Sequence, residues 1–250
     1  MRVRNYFKVI AVLTIALALT ACRSGIRMSQ EELRSAAAYN EFVPIDPMPF
    51  DTVSYVKSDG TKVDDAPWPT IATKTIRTLL PNQQADMTTY KLTQSGEIKY
   101  LTASTTGEAG VYRVVMDYVQ YRVENIENDA GKQIGVGRVG IGLRIKAQIQ
   151  TKKAGIDLGS LIALGIAAKR GEIQGKLSVA ALGVNSPEIT TLFPTPSDIN
   201  ETSIQKALEA LAAIKSKIGD DATSLTPQVV AVKVTDASAL AGSDVGNRLQ

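Results

Sequence analysis

A strictly alternating stretch, VGIGLRIKAQIQ at residues 139–150, constrains the fold more than any other part of the sequence. Side chains on a β-strand alternate between two faces, whereas on a helix a two-residue repeat would scatter the apolar positions around the axis. The stretch therefore predicts a strand with one buried, apolar face and one polar face. The apolar face carries Val139, Ile141, Leu143, Ile145, Ala147 and Ile149, and the other carries Gly140, Gly142, Arg144, Lys146, Gln148 and Gln150.

Five further stretches have the composition of strands, being rich in Val, Ile, Thr or Tyr. The longest of them exceeds an average strand, which predicts a bend or a bulge within it. Two others flank Ser95-Gly96, a pair of residues typical of a tight hairpin turn. The stretches are 88–94, 97–104, 111–126, 172–184 and 225–234.

Two helical segments are predicted in the second half of the chain. Apolar residues recur every three or four positions at about 202–218, so a late amphipathic helix is expected there, with Thr202 and Gln205 as a capping box. Residues 157–171 predict a buried helix or connector ended by Gly171. Strands in succession, with helices late in the chain, predict an α+β fold with a largely antiparallel sheet of about five to seven strands.

The first 21 residues have the order of a secretory signal peptide. A basic start, MRVRNYFK, is followed by the apolar run VIAVLTIALAL and by small residues before Cys22. The apolar run is shorter than the ~20 residues that a membrane-spanning helix needs. The sequence Leu19-Thr20-Ala21-Cys22 resembles the lipobox of bacterial lipoproteins, where signal peptidase II cleaves just before a lipid-modified cysteine. The resemblance covers residues 1–23 only.

This resemblance implies a covalent diacylglyceryl group on the Cys22 sulfur and an N-acyl chain on its new amino terminus. Two or more acyl chains hold a protein on a membrane stably. Residue 23 is Arg rather than the Asp that marks inner-membrane retention in enteric lipoproteins, so the resemblance implies the outer membrane. We expect the polypeptide to face the periplasm or the cell surface.

Cleavage before Cys22 would also remove the excess of positive charge. The full chain has 28 basic and 25 acidic residues, and Arg2, Arg4 and Lys8 lie in a signal segment that contains no acidic residue. The balanced remainder lacks the broad positive field that nucleic-acid binding uses. With its single cysteine acylated it has no thiol for a disulfide, so it must rest on an ordinary hydrophobic core.

The distribution of proline predicts an N-terminal arm followed by a domain. Five of the ten prolines fall between Pro44 and Pro69, a density that disfavours helices and interior strands. We therefore expect a lipid-anchored, proline-rich arm at 22–70, a single α+β domain at 71–235 and a polar tail at 236–250.

No reaction is indicated by the sequence. The chain has no histidine, the commonest general base and metal ligand, and neither a cofactor nor a metal is predicted. Residues 135–140 match the G-x-G-x-x-G dinucleotide fingerprint but lead into a strand rather than a helix. Ser203 and Lys206 match the S-x-x-K element of penicillin-recognising enzymes without its companion motifs, on the expected solvent side of a helix. A hydrolase with an unrecognised carboxylate or Ser–Lys site remains one alternative.

A pore or secretion-channel subunit is another alternative. Residues 133–184 hold a strand of about transmembrane length with alternating apolar and polar residues, followed by an apolar connector. An oligomer could contribute one β-hairpin per subunit from this region. Against it, no Phe, Tyr or Trp occurs between Arg122 and Leu192, so the aromatic residues typical of membrane interfaces are missing there.

The sequence favours a non-enzymatic role. We expect an outer-membrane-anchored binding, scaffold or accessory subunit of a cell-envelope assembly, with a protein partner or self-assembly and no nucleic acid. The candidate interaction face is the polar side of the long strand, formed by Arg144, Lys146, Gln148 and Gln150.

Overall fold

The structure, a computed structural model, describes residues 41–93, 98–101, 106–127, 133–186 and 196–235. The signal peptide, the lipobox, the turn at Ser95-Gly96 and the tail at 236–250 lie outside the described residues. Within the described ranges, no helix combines the length and the apolar character needed to cross a bilayer.

The described residues form fourteen strands and three α-helices. The strands are β1 (Val43–Pro49), β2 (Thr52–Val56), β3 (Lys62–Pro67), β4 (Asn82–Leu92), β5 (Ile98–Leu101), β6 (Thr106–Gly107), β7 (Gly110–Glu127), β8 (Gln133–Thr151), β9 (Ile156–Asp157), β10 (Ile173–Leu182), β11 (Val184–Asn185), β12 (Ser197–Asp198), β13 (Ser224–Leu225) and β14 (Gln228–Val234). The helices are α1 (Thr73–Leu79), α2 (Leu161–Lys169) and α3 (Glu201–Gly219).

Eight of the described strands build one antiparallel sheet around β8. The strand order is β1-β14-β8-β7-β4-β5, and β10 also pairs with β8 and carries β12 on its other side. β7 pairs along one edge of β8, while β14 and β10 share the other edge and diverge between Gly140 and Gly142. The predicted α+β class with a largely antiparallel sheet is confirmed. The sheet exceeds the expected five to seven strands because β1 and the two-residue β12 were not predicted.

Glycines in β8 allow neighbouring strands to come close. A Cβ atom at Gly140 would lie 2.3 Å from the carbonyl oxygen of Gln120, and one at Gly135 would lie 2.3 Å from that of Lys233. The G-x-G-x-x-G sequence thus lies inside a strand, where Gly135 and Gly140 make room for neighbouring backbone. The register of β7 with β8 is continuous from Gly110 to Ile126, so the bulge predicted as one possibility within 111–126 is absent.

Helices cover one face of this sheet. The odd-numbered residues of β8 from Val139 to Ile149 are 0–1% exposed, in one apolar core with α2 and α3. This confirms the predicted buried face of the strand. The predicted late helix is present as α3, although Asn200 and Ser203, rather than Thr202 and Gln205, form its capping box.

The fold begins earlier in the chain than the proline content suggested. β1 contains Pro44, Pro47 and Pro49, yet it pairs with β14 at the edge of the main sheet. Proline is tolerated in an edge strand because an edge does not need every N–H for a neighbour. Trp68 is likewise in the core, at 1% exposure. β1 and Trp68, both within the predicted arm at 22–70, thus pack on the sheet and in the core.

Candidate functional site

The side of the sheet opposite the helices carries the three charged side chains that are buried within the described part of the chain, Asp117, Arg138 and Arg144. Directly opposite residues of antiparallel neighbours point to the same side, so the even-numbered residues of β8 define this surface, which we call the polar face. It includes Arg138, Arg144, Lys146, Gln148 and Gln150 of β8, Arg113, Asp117 and Tyr121 of β7, Gln84, Asp86 and Tyr90 of β4, and Gln174 and Lys176 of β10.

Arg144 lies at the centre of the polar face and is only 2% exposed. Its Nε donates to Oδ1 of Asp117 at 2.7 Å and its Nη2 donates to Oδ2 at 2.6 Å, a bidentate ion pair. Asp117 is the direct cross-strand neighbour of Arg144 on β7. Arg144 was predicted on an exposed interaction face; its burial, and the use of four of its five N–H groups within the fold, remove it from that surface.

The same guanidinium group ties two irregular strands to the sheet. Nη2 also donates to the carbonyl of Val230 at 2.7 Å, and Nη1 donates to the carbonyl of Ile45. The register of β14 with β8 shifts around Val230, and that of β1 with β14 shifts between Pro44 and Met48. Arg144 therefore supplies hydrogen bonds to carbonyls at two places where the strand ladder is irregular.

A second ion pair lies towards the start of β8. Arg138 pairs with Asp86 of β4, and its guanidinium carbon lies 4.3 Å from the ring centroid of Phe42 and 4.9 Å from that of Tyr121. The Tyr121 hydroxyl donates to Oε1 of Gln84 at 2.9 Å, and Nε2 of Gln84 donates to Asp86 at 2.6 Å. Stacking and hydrogen bonds thus hold this pair in one arrangement.

Asp86 and Asp117 are carboxylates distant in sequence that stand directly opposite each other on β4 and β7. A pair of this kind was one form that an unrecognised hydrolase site might take. Each carboxylate, however, is bound by its own arginine, Arg138 or Arg144. The two carboxylates therefore form two separate ion pairs.

The Ser–Lys alternative is not supported by the position of its serine. The Ser203 hydroxyl accepts from the backbone N–H of Asn200 at 2.9 Å and donates to the Asn200 carbonyl at 3.0 Å. Ser203 is 5% exposed, so it does not lie on the solvent side as expected. Its hydroxyl caps a helix.

Two tyrosines lie next to the buried charges. The rings of Tyr90 and Tyr100 meet edge to face, with centroids 6.0 Å apart. The Tyr90 hydroxyl is buried and has no hydrogen-bond partner among the described residues, and burial raises the pKa of this phenol far above its usual value. Burial, together with a hydrogen bond to Glu41, also raises the pKa of Tyr100. Both phenols are therefore neutral at physiological pH.

Beyond Arg144 the polar face opens to solvent. We call this part the exposed strip; it comprises Arg113, Lys146, Gln148, Gln150, Gln174 and Lys176. Lys146 binds Asp46 of β1 at 2.8 Å, with the two side chains 43% and 65% exposed. Lys176 binds Asp198 at 2.7 Å, whereas Arg113 forms no ion pair with any described residue. The predicted interaction residues Lys146, Gln148 and Gln150 thus lie on a partly or fully exposed surface, and the fold adds to them side chains of β7 and β10.

Burial tends to raise the pKa of the Asp46 carboxyl, but the effect of nearby cations is larger. A hydrogen bond from Lys146 and the charges of Lys146, Arg144 and Arg113 bring its pKa below the usual value. Ammonium, guanidinium and amide groups that face water can donate to hydroxyl, carboxylate or phosphate oxygens. The exposed strip therefore offers hydrogen-bond donors to groups of this kind.

A second surface was missed by the sequence analysis. α2 was expected to be buried, yet Ile162 and Ile166 are 64% and 48% exposed. Ile162 and Leu208 of α3 line a cavity of about 280 Å³ together with Met87 and Met116. The apolar residues of α2 are spread around the helix, a pattern typical of a fully buried helix, so the sequence alone did not indicate its exposed side.

Among the residues that the structure describes, no group of three or more potential metal ligands occurs. No known protein family, no curated protein and no solved structure matches this chain. Its function is therefore inferred from its own residues and their arrangement.

Proposed function

We propose that this chain is a bacterial outer-membrane lipoprotein and a non-enzymatic binding or accessory subunit of a cell-envelope assembly. Leu19-Thr20-Ala21-Cys22, at the end of a short apolar run behind a basic start, is the observation that carries the proposal. The anchor would be the diacylglyceryl and N-acyl chains on Cys22, which suffice for stable membrane attachment.

The position and attachment of β1 support an anchored role. Residues 23–42 separate Cys22 from the first strand, a span of at most about 70 Å when fully extended. At the other end of that span, the carbonyl of Ile45 is bound by Arg144 at the centre of the sheet. A force on the anchor would therefore act on an element that is tied into the sheet.

The exposed strip supports binding rather than catalysis. Its cations and amides face water, while Asp86 and Asp117 are each held by an arginine and Ser203 caps a helix. The absence of histidine from the sequence points in the same direction. A protein or another envelope component rich in acidic or hydroxyl groups would match the strip.

The pore alternative has one observation in its favour. β8 and β10, both within residues 133–184, do pair as antiparallel neighbours. Their apolar side chains, however, are packed with α2 and α3 in the core. Insertion into a membrane would require those helices to leave the sheet, exposing their own buried faces.

Metabolic labelling with palmitate, followed by fractionation, tests the anchor and the pore alternative together. We expect label on the wild-type chain and none on Cys22→Ala. We expect residues 23–250, exported behind a signal that is not lipidated, to enter the soluble fraction after a carbonate or urea wash, as a monomer or small oligomer. An unlabelled wild-type chain would overturn the anchor, and a lipid-free chain retained as a wash-resistant ring would favour the pore.

Site-specific crosslinking in intact cells tests the binding role. A photo-crosslinker at Gln148 of the exposed strip is compared with one at Thr202, an exposed position on α3. We expect a discrete adduct from Gln148 that is absent from Thr202. If neither position, or both equally, forms adducts, the exposed strip is not the binding surface.

A further inference from the structure

Three apolar side chains form an exposed patch on the helical side of the molecule. Ile162 and Ile166 lie one turn apart on α2 and are 64% and 48% exposed, and Leu208 of α3 is 37% exposed. Ile162 and Leu208 line the same cavity, so the two helices contribute to one surface. Of the five large apolar side chains that are exposed within the described ranges, these are three. We call them the apolar patch; such clustering is typical of an interaction site.

Two exposed charges flank the apolar patch. Asp157 lies shortly before Ser160, the N-cap of α2, and Arg170 is the C-cap residue of this helix. Both line a cavity of about 470 Å³ beside α2, so they lie on the same side of the helix but at its opposite ends. Asp157 accepts a hydrogen bond from the N–H of Gly159, and within the described part of the chain neither Asp157 nor Arg170 forms an ion pair. Each therefore has an unmatched charge available to another molecule.

This arrangement is complementary to itself under a two-fold rotation that reverses the direction of α2. With the axis midway between Ile162 and Ile166, each of these residues faces the other one in the second copy. The same rotation brings the Arg170 end of one helix to the Asp157 end of the other, on the same side. Two isoleucine contacts in the centre are then flanked by two ion pairs.

The charges near α2 favour a second copy of the chain over a lipid surface. Four basic side chains lie beside three carboxylates, so the surface is nearly neutral and attracts anionic headgroups weakly. The basic residues are Lys152, Lys153, Lys169 and Arg170, and the carboxylates are Asp157, Glu172 and Glu201. Lys153 and Lys169 are already paired with Glu172 and Glu201. Charges of both signs, at opposite ends of an apolar centre, are what a two-fold contact between identical surfaces needs.

We propose that the exposed side of α2 is a two-fold interface between two copies of this chain. Ile162 and Ile166 pack against each other across the axis, and Arg170 of each copy pairs with Asp157 of the other. The inference deepens the proposed subunit role and rests on it, but its test needs neither lipid nor membrane.

The size of the interface makes the dimer a weak one in solution. α2 has nine residues and is about 14 Å long, so the contact is smaller than the ~1,600 Å² that stable complexes bury. Anchors on Cys22 would confine both copies to one membrane and raise their effective concentration. The exposed strip lies on the opposite side of the sheet from α2 and stays accessible, so the dimer would present two copies of it to a partner.

Charge reversal tests the proposed ion pairs with the mature chain lacking acyl groups, residues 22–250 carrying Cys22→Ser. Sedimentation equilibrium up to about 1 mM protein should show a concentration-dependent dimer. Arg170→Asp or Asp157→Arg alone should weaken dimerisation about tenfold, because each change places like charges together at both ends of the contact. The two changes combined should restore it to within about threefold of wild type. Lys74→Asp on α1, an exposed residue, applies the same change of charge elsewhere and should have no effect.

The isoleucines provide an independent test of the same interface. Ile162→Ser with Ile166→Ser should give a folded monomer, whereas Val56→Ser, at a residue 64% exposed on β2, should still dimerise. The Cys22→Ser chain has no other cysteine, so Ile162→Cys and Ile166→Cys can each be placed singly. A mixture of these two proteins should form more disulfide-linked dimer than either protein alone, because the contact is antiparallel.

Three results would overturn the proposal. The first is a wild-type chain that stays monomeric at about 1 mM; if that chain also bound phosphatidylglycerol vesicles through Ile162 and Ile166, the apolar patch would be a lipid contact instead. The second is a combined charge reversal that dimerises no better than the single ones. The third is equal dimerisation of the wild-type chain and the variant with both serines. No result of these tests would bear on palmitate labelling of Cys22.

Discussion

Arg144 and Lys146 stand two residues apart on the same face of β8, and each pairs with an aspartate, yet their surroundings are opposite. Arg144 and Asp117 have side chains 2% and 5% exposed, whereas Lys146 and Asp46 are 43% and 65% exposed. The buried pair has lost its water and depends on its partner and on two carbonyls, while the exposed pair can exchange its partner for water. Two cation–aspartate pairs on one face of the same strand therefore have different consequences, because their exposure to water differs.

Breaking the buried pair should have the largest effect. Arg144→Met leaves the Asp117 carboxylate buried without its counter-ion, and we expect the free energy of unfolding to fall by about 3–5 kcal/mol in urea titrations. Arg144→Met combined with Asp117→Leu removes both charges and should recover part of the loss. A cost below about 1 kcal/mol for the single change would mean that the pair is hydrated and not buried.

Replacing Gly140, where β7 and β8 lie close together, should have the next largest effect on stability. A Cβ atom at Gly140 would lie 2.3 Å from the Gln120 carbonyl oxygen, so Gly140→Ala must push β7 and β8 apart. We expect a loss of about 1–3 kcal/mol in the same titration. Gly219→Ala, in open space at the end of α3, should be neutral or stabilising by up to about 1 kcal/mol. Equal effects of the two changes would contradict the close contact.

Breaking the exposed pair should cost much less. We expect Lys146→Met to lower the free energy of unfolding by about 0.2–1 kcal/mol, and by less at high salt because the pair is screened. A double-mutant cycle with Asp46→Asn isolates the interaction between the two side chains. A cost comparable to that of Arg144→Met would remove the contrast between the two positions.

Removing the charge of Asp46 should have the smallest effect on the free energy of unfolding, and this effect should depend on pH. Its folded pKa lies below its usual value of 3.8, since Lys146 and neighbouring arginines outweigh the effect of burial. Its contribution to stability is therefore present above that value and is lost as the pH falls through the lower, folded pKa. Because the side chain is largely exposed, the difference between wild type and Asp46→Asn should be at most about 0.2–1 kcal/mol at neutral pH, and it should vanish once the pH is well below the folded pKa. Urea titrations from neutral to acid pH measure it, and a difference that grows in acid would contradict the sign.

The elements recovered from the sequence are those with a long, regular pattern. The alternation in 139–150 predicted β8 and its buried face, and the three-to-four spacing predicted α3. α1 was missed because its Thr-rich sequence has no capping side chain at Ala72 and depends on burial of Ile76 at 1% exposure. β1 was not predicted because three prolines disfavour a strand, and such a strand is tolerated only at the edge of a sheet.

The candidate site was predicted in part for the same reason. Lys146, Gln148 and Gln150 were placed correctly on the polar side of β8, since side-chain direction follows from strand periodicity. Arg144 shares that direction, but its partners lie 27, 86 and 99 residues away along the chain, at Asp117, Val230 and Ile45. No local sequence pattern could reveal that these groups exclude water from Arg144 but not from Lys146.

The sequence by itself determined the direction of side chains along β8, the amphipathic face of α3 and the signal-like start with its lipobox. Tertiary structure alone decided which charges on the polar face are buried, that a proline-rich segment becomes an edge strand, and that one side of α2 stays outside the core. The physical reason is that backbone periodicity is a local property, whereas loss of solvent around a side chain depends on segments distant in the chain.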